Sequence, residues 1–280
     1  MATYFIVSDV HSYFDQMMEA LNGQGFDINN KNHIFVSLGD LLDRGPDAVK
    51  CLDFVNNLPK DRKILIMGNH EELLCGAINR GYFESHDYHN KTNDTVWQIT
   101  KQFNEDDALQ EMKHNEKWIT YLNSCVNYYE TDNAIFVHGW IPCEVKRTDN
   151  GEGFNYSPFK GPGDWRNPIW GDEWANARWV NGMQAWSEGV RIEGKTIYCG
   201  HFHTSWGHAH LHNKGVEFAH DYMKIAVELG LLKEGALDEH FEPFIDDGIC
   251  AVDACCAYSG KINCVKLGKQ PKVITNETDD

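Results

Sequence analysis

Two carboxylates and a guanidinium stand together in Gly39-Asp40-Leu41-Leu42-Asp43-Arg44-Gly45, directly after the apolar run at 33–38. Carboxylates at the mouth of a buried strand lose hydration, and a neighbouring cation or metal ion is the usual compensation. Taken alone, the stretch also reads as a surface turn with an Asp–Arg ion pair. It does not stand alone. Asp9-Val10-His11, Gly68-Asn69-His70-Glu71, His138 and Gly200-His201-Phe202-His203 each follow an apolar run as well. Carboxylate, imidazole and carboxamide are ligand types that hard and borderline divalent cations accept. The pattern predicts a metal centre assembled at five strand ends.

The elements that must carry these groups follow from periodicity. Residues 4–8, 33–38 and 63–67 are short apolar runs and predict strands. Phe14, Met17, Met18 and Leu21 recur at helical spacing, with Gly23 as a stop, and Pro46 opens a second helix containing Val49, Leu52 and Val55. Residues 71–79 predict a third. Strand, polar loop and helix repeated three times describe βα units with a largely parallel sheet, whose ligands gather at the carboxyl ends of the strands.

From 81 to 124 the character changes, and two helices are expected there, inserted beside the core. His86, His89 and His114 within it read as solvated. Residues 128–131 and 134–137 flank Asp132-Asn133, a two-residue hairpin turn. Residues 143–194 form a loop rich in Gly, Pro and Trp, with Trp165, Trp170, Trp174, Trp179 and Trp186; packing is their first reading and ligand contact the second. Residues 196–199 predict another strand, 249–252 and 262–265 a pair turning at Ser259-Gly260, and 275–280 a frayed acidic tail.

At 280 residues the chain can bury a large core, and it is read as one domain over 1–280. The net charge of −17, from 42 acidic against 25 basic residues, argues against a surface that holds nucleic acid through its phosphates. Nine cysteines without paired zinc-ribbon spacing predict buried free thiols in a reducing compartment. The first residues lack a basic leader, and no run reaches the length of a membrane span. A cytoplasmic protein without a membrane partner is expected, its oligomeric state left open.

Taken in order and spacing, Asp9-x-His11, Gly39-Asp40-x-x-Asp43-Arg44-Gly45, Gly68-Asn69-His70-Glu71, His138 and Gly200-His201 resemble the calcineurin-like metallophosphoesterases. The longer G-D-x-x-D-R-G form is similar to the phosphoprotein phosphatase branch, which includes small bacterial and phage serine/threonine phosphatases. Val252-Asp253 and Tyr258-Ser259-Gly260-Lys261-Ile262 look like that branch's C-terminal strand pair, with Ala254-Cys255 where Thr-Gly is usual. The resemblance implies an α/β fold, a two-sheet β-sandwich flanked by helices.

It also implies two divalent metal ions, Mn2+ first, with Fe, Zn or Ni as alternatives. Asp9, His11 and Asp40 would hold one ion. Asp40, Asn69, His138 and His201 would hold the other, with Asp40 between them. Two such ions share a water, lower its pKa and aim it at phosphorus. Arg44 would grip the phosphate, His70 would protonate the leaving group and Asp43 would hold the His70 ring. Glu71 is expected to begin the following helix. Arg166 and Arg178 are the candidates for a second phosphate-binding arginine.

His203 aligns with a ligand of the wider superfamily. If the chain stays extended past Gly200 it faces the same way as His201 and completes the first ion's shell; if Gly200 turns the chain, it does not. The implied activity is phosphomonoester hydrolysis on phosphoserine or phosphothreonine proteins, peptides or small phosphoesters. The rivals are hydrolysis of diadenosine tetraphosphate or another nucleotide, and a non-catalytic metal-binding module.

Overall fold

The first strand, β1 (Thr3–Val7), is apolar on both faces, and this decides its place in the molecule. In the computed structural model, which describes residues 2–268 except 170, 220, 232–234 and 236, Tyr4 and Ile6 point one way and Phe5 and Val7 the other. Trp170 and the tail at 275–280 therefore lie outside the described residues. Successive side chains of a strand face opposite sides, so both faces of β1 must be covered.

Phe5 and Val7 meet a helical layer built from α1 (Phe14–Gly23), α2 (Ala48–Asn57) and α3 (Asn69–Arg80). These helices follow β1, β2 (His33–Ser37) and β3 (Lys63–Ile66) in turn. The stretch after α3 forms four helices rather than the two expected: α4 (Ser85–His89), α5 (Thr92–Thr100), α6 (Glu105–Met112) and α7 (Glu116–Leu122). Asn104 and Asn115 cap α6 and α7 by accepting from the N–H groups of Asp107 and Trp118, which splits the loose periodicity into short segments. Their apolar sides, through Val96, Leu109, Met112, Trp118 and Tyr121, join the same core as α1 to α3. A short β4 (Cys125–Val126) then pairs parallel to β3.

The second sheet begins with β5 (Tyr129–Glu130) and β6 (Ala134–Phe136), joined by the tight turn at Asp132-Asn133, where the Thr131 N–H donates to Ala134 O. The Trp-rich stretch is ordered by two small antiparallel pairs, β7 (Cys143–Arg147) with β8 (Phe154–Pro158) and β9 (Gly163–Asp164) with β10 (Asn167–Pro168). Helices α8 (Glu173–Ala177) and α9 (Gly182–Ser187) follow. Trp165, Trp174 and Trp186 pack on the outer face of the second sheet with Ile135, Ile197 and Ile249, so most of these aromatics serve the core. Then come β11 (Thr196–Cys199), α10 (Thr204–His210), α11 (Asp221–Glu228), β12 (Phe244–Asp246), β13 (Ile249–Ala251), α12 (Cys256–Ser259) and β14 (Val265–Gly268).

The last two strands differ from the expected pair turning at Ser259-Gly260. Strand β13 runs parallel to β11 in the second sheet, and β14 crosses over to pair antiparallel with β1 in the first. Helix α12 occupies the turn, because Cys255 and Gly260 bound it in left-handed conformation.

The first sheet has the order β14-β1-β2-β3-β4 and the second β12-β13-β11-β6-β5. Tyr4, Ile6, Val36, Leu38 and Ile66 of one sheet meet Phe136, Tyr198, Cys250 and Val252 of the other in a shared core. The chain is thus a two-sheet α/β sandwich. Strands β1, β2, β3, β6, β11 and β13 are parallel within their sheets. Their carboxyl ends lead to Asp9, Asp40, Asn69, His138, His201 and Asp253. None of the nine cysteines is paired, and no helix among the described residues is long and apolar enough to cross a membrane.

Candidate metal centre

The loops after β1, β2 and β3 are tied to one another before any ligand is considered. His11 N–H donates to Asp40 O at 2.9 Å and Ser12 N–H to Leu41 O at 2.9 Å. Glu71, in the first turn of α3, ties the loop after β2 to the loop after β3. Its carboxylate accepts from the N–H groups of Asp40 (2.9 Å), Leu41 (3.0 Å) and Gly68 (2.9 Å), and from the Tyr121 hydroxyl (2.9 Å). Glu71 does begin the helix, as its sequence position predicts, but its larger role is this four-donor clamp. The reach back to the Gly68 N–H is the glutamate arm of a capping box, the one local signal that could have revealed it.

Asp40 sits at the centre of the pocket. Its Oδ1 accepts the His70 N–H at 2.9 Å and lies 3.4 Å from His138 Nε2, while Oδ2 is 3.9 Å from both His11 Nε2 and His70 Nε2. Burial opposes its ionisation, yet His138 and His70 hold the carboxyl well below its usual range. The reciprocal effect appears at His138, which burial alone would depress but the Asp40 charge raises to about 9. His201 is driven down to about 3 by burial and by His138, and His11 is lowered by burial and by His70 and Arg44. A buried carboxylate that keeps its charge, beside His11 and His201 imidazoles that stay neutral, presents these groups in the forms that bind a divalent cation.

Two groups of side chains present atoms close enough to share an ion: His11, Asp40 and His70, and Asp40, His138 and His201. The histidine tautomers agree with this use. His11 Nδ1–H donates to Leu42 O (3.0 Å) and His138 Nδ1–H to Leu38 O (2.7 Å), leaving each Nε2 as the donor atom toward a metal. His201 is hydrogen-bonded to the Trp179 backbone, and its Nδ1 lies 3.0 Å from Asn69 Oδ1, which also approaches His138 Nε2 at 2.7 Å. Asp9 lines the same pocket, its Oδ2 accepting from the Ser8 hydroxyl and the His201 N–H.

The backbone carries strain here. Asp9, His11, Asp40, Asp43, Arg44, His201 and Cys255 all have positive φ, between 48° and 72°. Each such non-glycine residue costs on the order of 1–3 kcal/mol, and such residues persist where the surrounding structure over-determines them. Gly68 supplies close approach instead. A Cβ there would overlap the Asp40 carboxylate and backbone nitrogen and the Glu71 carboxylate. Gly68→Ala is therefore expected to push the β3–α3 loop off Asp40, costing on the order of 1–3 kcal/mol together with metal binding. Thermal melting and metal analysis check this; a variant that melts and loads metal like the wild type would show the loop has slack.

Beside Asp40 stands a second set of partners. His70 Nδ1 is 2.8 Å from Asp43 Oδ2, and Arg44 Nη2 is 3.3 Å from His70 Nε2. Asp43 is fully buried and receives the hydroxyls of Thr92 (2.8 Å) and Thr95 (2.7 Å) from α5. The helices at 85–122 thus reach the site by fixing the residue that orients His70. Burial lowers the His70 pKa, but Asp40 and Asp43 more than reverse this and raise it.

Three sequence candidates are placed elsewhere. His203 does not join the cluster: the chain turns at His201 (φ 66°) and enters α10 at Thr204, so His203 Nδ1 meets Ser205 Oγ (2.8 Å) and Nε2 faces Glu217 (3.3 Å). Arg166 pairs with Glu130 and Asp164 and lies over the Trp165 ring. Arg178 is held by Glu72 (3.2 Å) and Asn127 (2.6 Å). Conversely, Asn90, Trp179, Asp253 and Cys255 line the pocket, which encloses about 120 Å³, enough for a phosphoryl-sized group. Burial and the Asp9 charge raise the Asp253 carboxyl well above its usual range.

The donor set suits two divalent cations: buried carboxylates face imidazoles whose second nitrogens are fixed, and a neutral carboxamide oxygen lies between two of those rings. The family model for calcineurin-like phosphoesterases matches residues 2–234. The chain belongs to this family. Its fold follows, and members of the family use a dinuclear metal centre, which the two ligand groups here are arranged to form.

Within this calcineurin-like phosphoesterase, shorter stretches are similar to curated proteins. One is a symmetrical bis(5'-nucleosyl)-tetraphosphatase of Proteus mirabilis (strain HI4320), 40% identical over 78 residues, 28% of this chain and 27% of the relative. Another is serine/threonine-protein phosphatase 1 of Salmonella typhimurium (strain LT2), 36% identical over 73 residues, 26% of this chain and 32% of the relative. The matches thus span under a third of the relatives' own lengths. A crystal structure of a cold-active protein-tyrosine phosphatase from a psychrophilic Shewanella species superposes over 95% of this chain and 75% of its own, with TM-score 0.47 and 14% identity.

Proposed function

We propose that this phosphoesterase hydrolyses phosphomonoesters of alkyl alcohols, with phosphoserine and phosphothreonine in proteins or peptides as the first substrate class. One observation carries the reading: a buried Asp43–His70 pair, held by Thr92 and Thr95, stands against Asp40 at the junction of the two ligand groups. A leaving alkoxide needs a proton, whereas a leaving phosphate needs little help, so a general acid fixed this firmly suits an alkyl ester.

Asp9, His11 and Asp40 are assigned to one ion and Asp40, Asn69, His138 and His201 to the other, with manganese as the proposed metal. When bound, two such ions lower the pKa of a water and offset charge on the phosphoryl oxygens. The chain's own residues do the rest. Arg44 grips a phosphoryl oxygen. Asp43 fixes the His70 ring through Nδ1, so that Nε2 carries the proton given to the leaving oxygen. Nine unpaired cysteines support a reducing, cytoplasmic setting.

A second reading, dinucleoside polyphosphate hydrolysis, is favoured by Trp179. The residue is 51% exposed and lines the pocket, and its ring stands edge-on to His201 at 5.6 Å, where a nucleobase could stack. The name of the Proteus relative points the same way. Assays of manganese-loaded protein on phosphoseryl and phosphothreonyl peptides, diadenosine tetraphosphate and p-nitrophenyl phosphate test both readings, with Trp179→Ala alongside. Peptide turnover exceeding dinucleotide turnover, with little effect of Trp179→Ala on peptides, is expected. Dinucleotide turnover dominating and collapsing in Trp179→Ala would establish the second reading, and no metal-dependent turnover of any ester would refute both.

A further inference from the structure

One carboxylate in the pocket has no part in the roles assigned so far. Asp253 follows β13, is only 5% exposed, and lines the cavity beside Asp9, His11 and Asp40. Its Oδ1 accepts the Cys255 N–H at 2.6 Å, which pins the carboxylate, and its backbone carbonyl accepts the Thr204 N–H at 2.9 Å at the start of α10. The left-handed turn at Cys255 (φ 52°) brings that N–H back to the carboxylate. Among the described residues no hydrogen bond is made to Oδ2, and the residue lines the cavity. Among the described residues no lysine or arginine forms a salt bridge with Asp253; Arg44, on the far loop, lines the same cavity. A third carboxylate held among two others, without an ion pair, is costly unless it has something positive or protic to meet.

Asp9 gives the clue to what that is. Its Oδ2 is taken up by Ser8 and by the His201 N–H, and His203, which could have completed a shell on this side, is committed to Ser205 and Glu217. Asp9, His11 and Asp40 provide three protein residues for an ion whose oxygen- and nitrogen-rich shell takes about six ligands, so water fills the remainder. We infer that Asp253 is a positioning residue for the first metal site: its free oxygen accepts hydrogen bonds from water on the ion held by Asp9, His11 and Asp40, fixing that water without itself ligating the ion. The role rests on the metal assignment proposed above. It also explains why Asp253 is tethered by a backbone N–H and not by a cation, which would compete with the ion for its charge.

The test compares Asp253→Asn, which keeps the shape and the Cys255 contact, and Asp253→Glu with the wild-type full chain. Manganese binding is followed by titration calorimetry and by metal analysis, melting temperature is measured with and without Mn2+, and kcat and KM are determined on p-nitrophenyl phosphate. Loss of an outer carboxylate typically costs 10–100-fold in metal affinity or activity. Asp253→Asn is expected to weaken one of two manganese sites by that factor, to lower kcat more than KM changes, and to melt no lower than wild type without metal while gaining less from Mn2+. Asp253→Glu should restore part of the loss. A structural role would instead lower the metal-free melting temperature and leave the manganese-induced gain intact, and that result would overturn the inference. So would wild-type affinity at both sites with unchanged kcat. If wild-type protein itself binds no manganese, the metal assignment fails and the inference with it, an outcome separate from failure of Asp253 alone.

Discussion

Asp40→Asn should leave a folded chain that retains neither metal ion and has no measurable phosphatase activity. Asp40 belongs to both groups able to hold an ion, and its two oxygens are divided between them: Oδ1 lies toward His138, and Oδ2 toward His11 and His70. An amide keeps the size and can still accept the His70 N–H, so the loop geometry survives. It removes the charge that draws His138 up to about 9 and that would bind two cations at once. Losing one electrostatic stabiliser costs ~10²–10³-fold in rate; losing both ions exceeds this. Metal analysis of the purified variant after manganese loading and gel filtration is the check. Two metals per chain in Asp40→Asn would remove Asp40 from the bridging position.

His70→Asn should show the opposite combination, metal retained and turnover lost. His70 Nε2 lies 3.9 Å from Asp40 Oδ2, but its ring is held elsewhere, through Nδ1 on Asp43 with two threonine hydroxyls behind it. General acid catalysis is worth about 10²–10⁴-fold, so kcat on a phosphoseryl peptide should fall by that amount. On p-nitrophenyl phosphate, whose leaving group departs without a proton, the loss should be much smaller. Equal losses on both esters would rule out the acid role. Loss of one manganese per chain would instead make His70 a ligand, a use its nearness to His11 and Asp40 allows.

The residues that assemble the site were legible because the fold places them by a local rule. A parallel strand buried on both faces must end in a loop, and its first polar residues fall at the sheet's carboxyl edge. Asp9, Asp40, Asn69, His138 and His201 each sit within three residues of such an end. Short apolar runs, glycine at the turn and helical periodicity after it are all written in neighbouring residues. Those patterns predict βα units and a largely parallel sheet; the two-sheet sandwich came with the family resemblance carried by the five motifs, and the free cysteines from the lack of paired cysteine spacing.

What the tertiary structure decided are the contacts between distant segments and the points where the chain leaves regular geometry. The alternation that would have aimed His203 with His201 holds only for extended backbone, and the left-handed turn at His201 ends it. Thr92 and Thr95 reach Asp43 across 49 and 52 residues, and Tyr121 reaches Glu71 across 50. Nothing in a soluble helix pattern marks those hydroxyls as partners of a buried carboxylate. Trp179 resembles its neighbours in sequence, yet Trp165 and Trp186 are buried on the second sheet while its own ring stands at the pocket mouth. Periodicity reports which face of an element is apolar. Which distant surface meets that face, and which polar groups are then left facing one another, is fixed only when the sheets close and every buried donor and acceptor must find a partner.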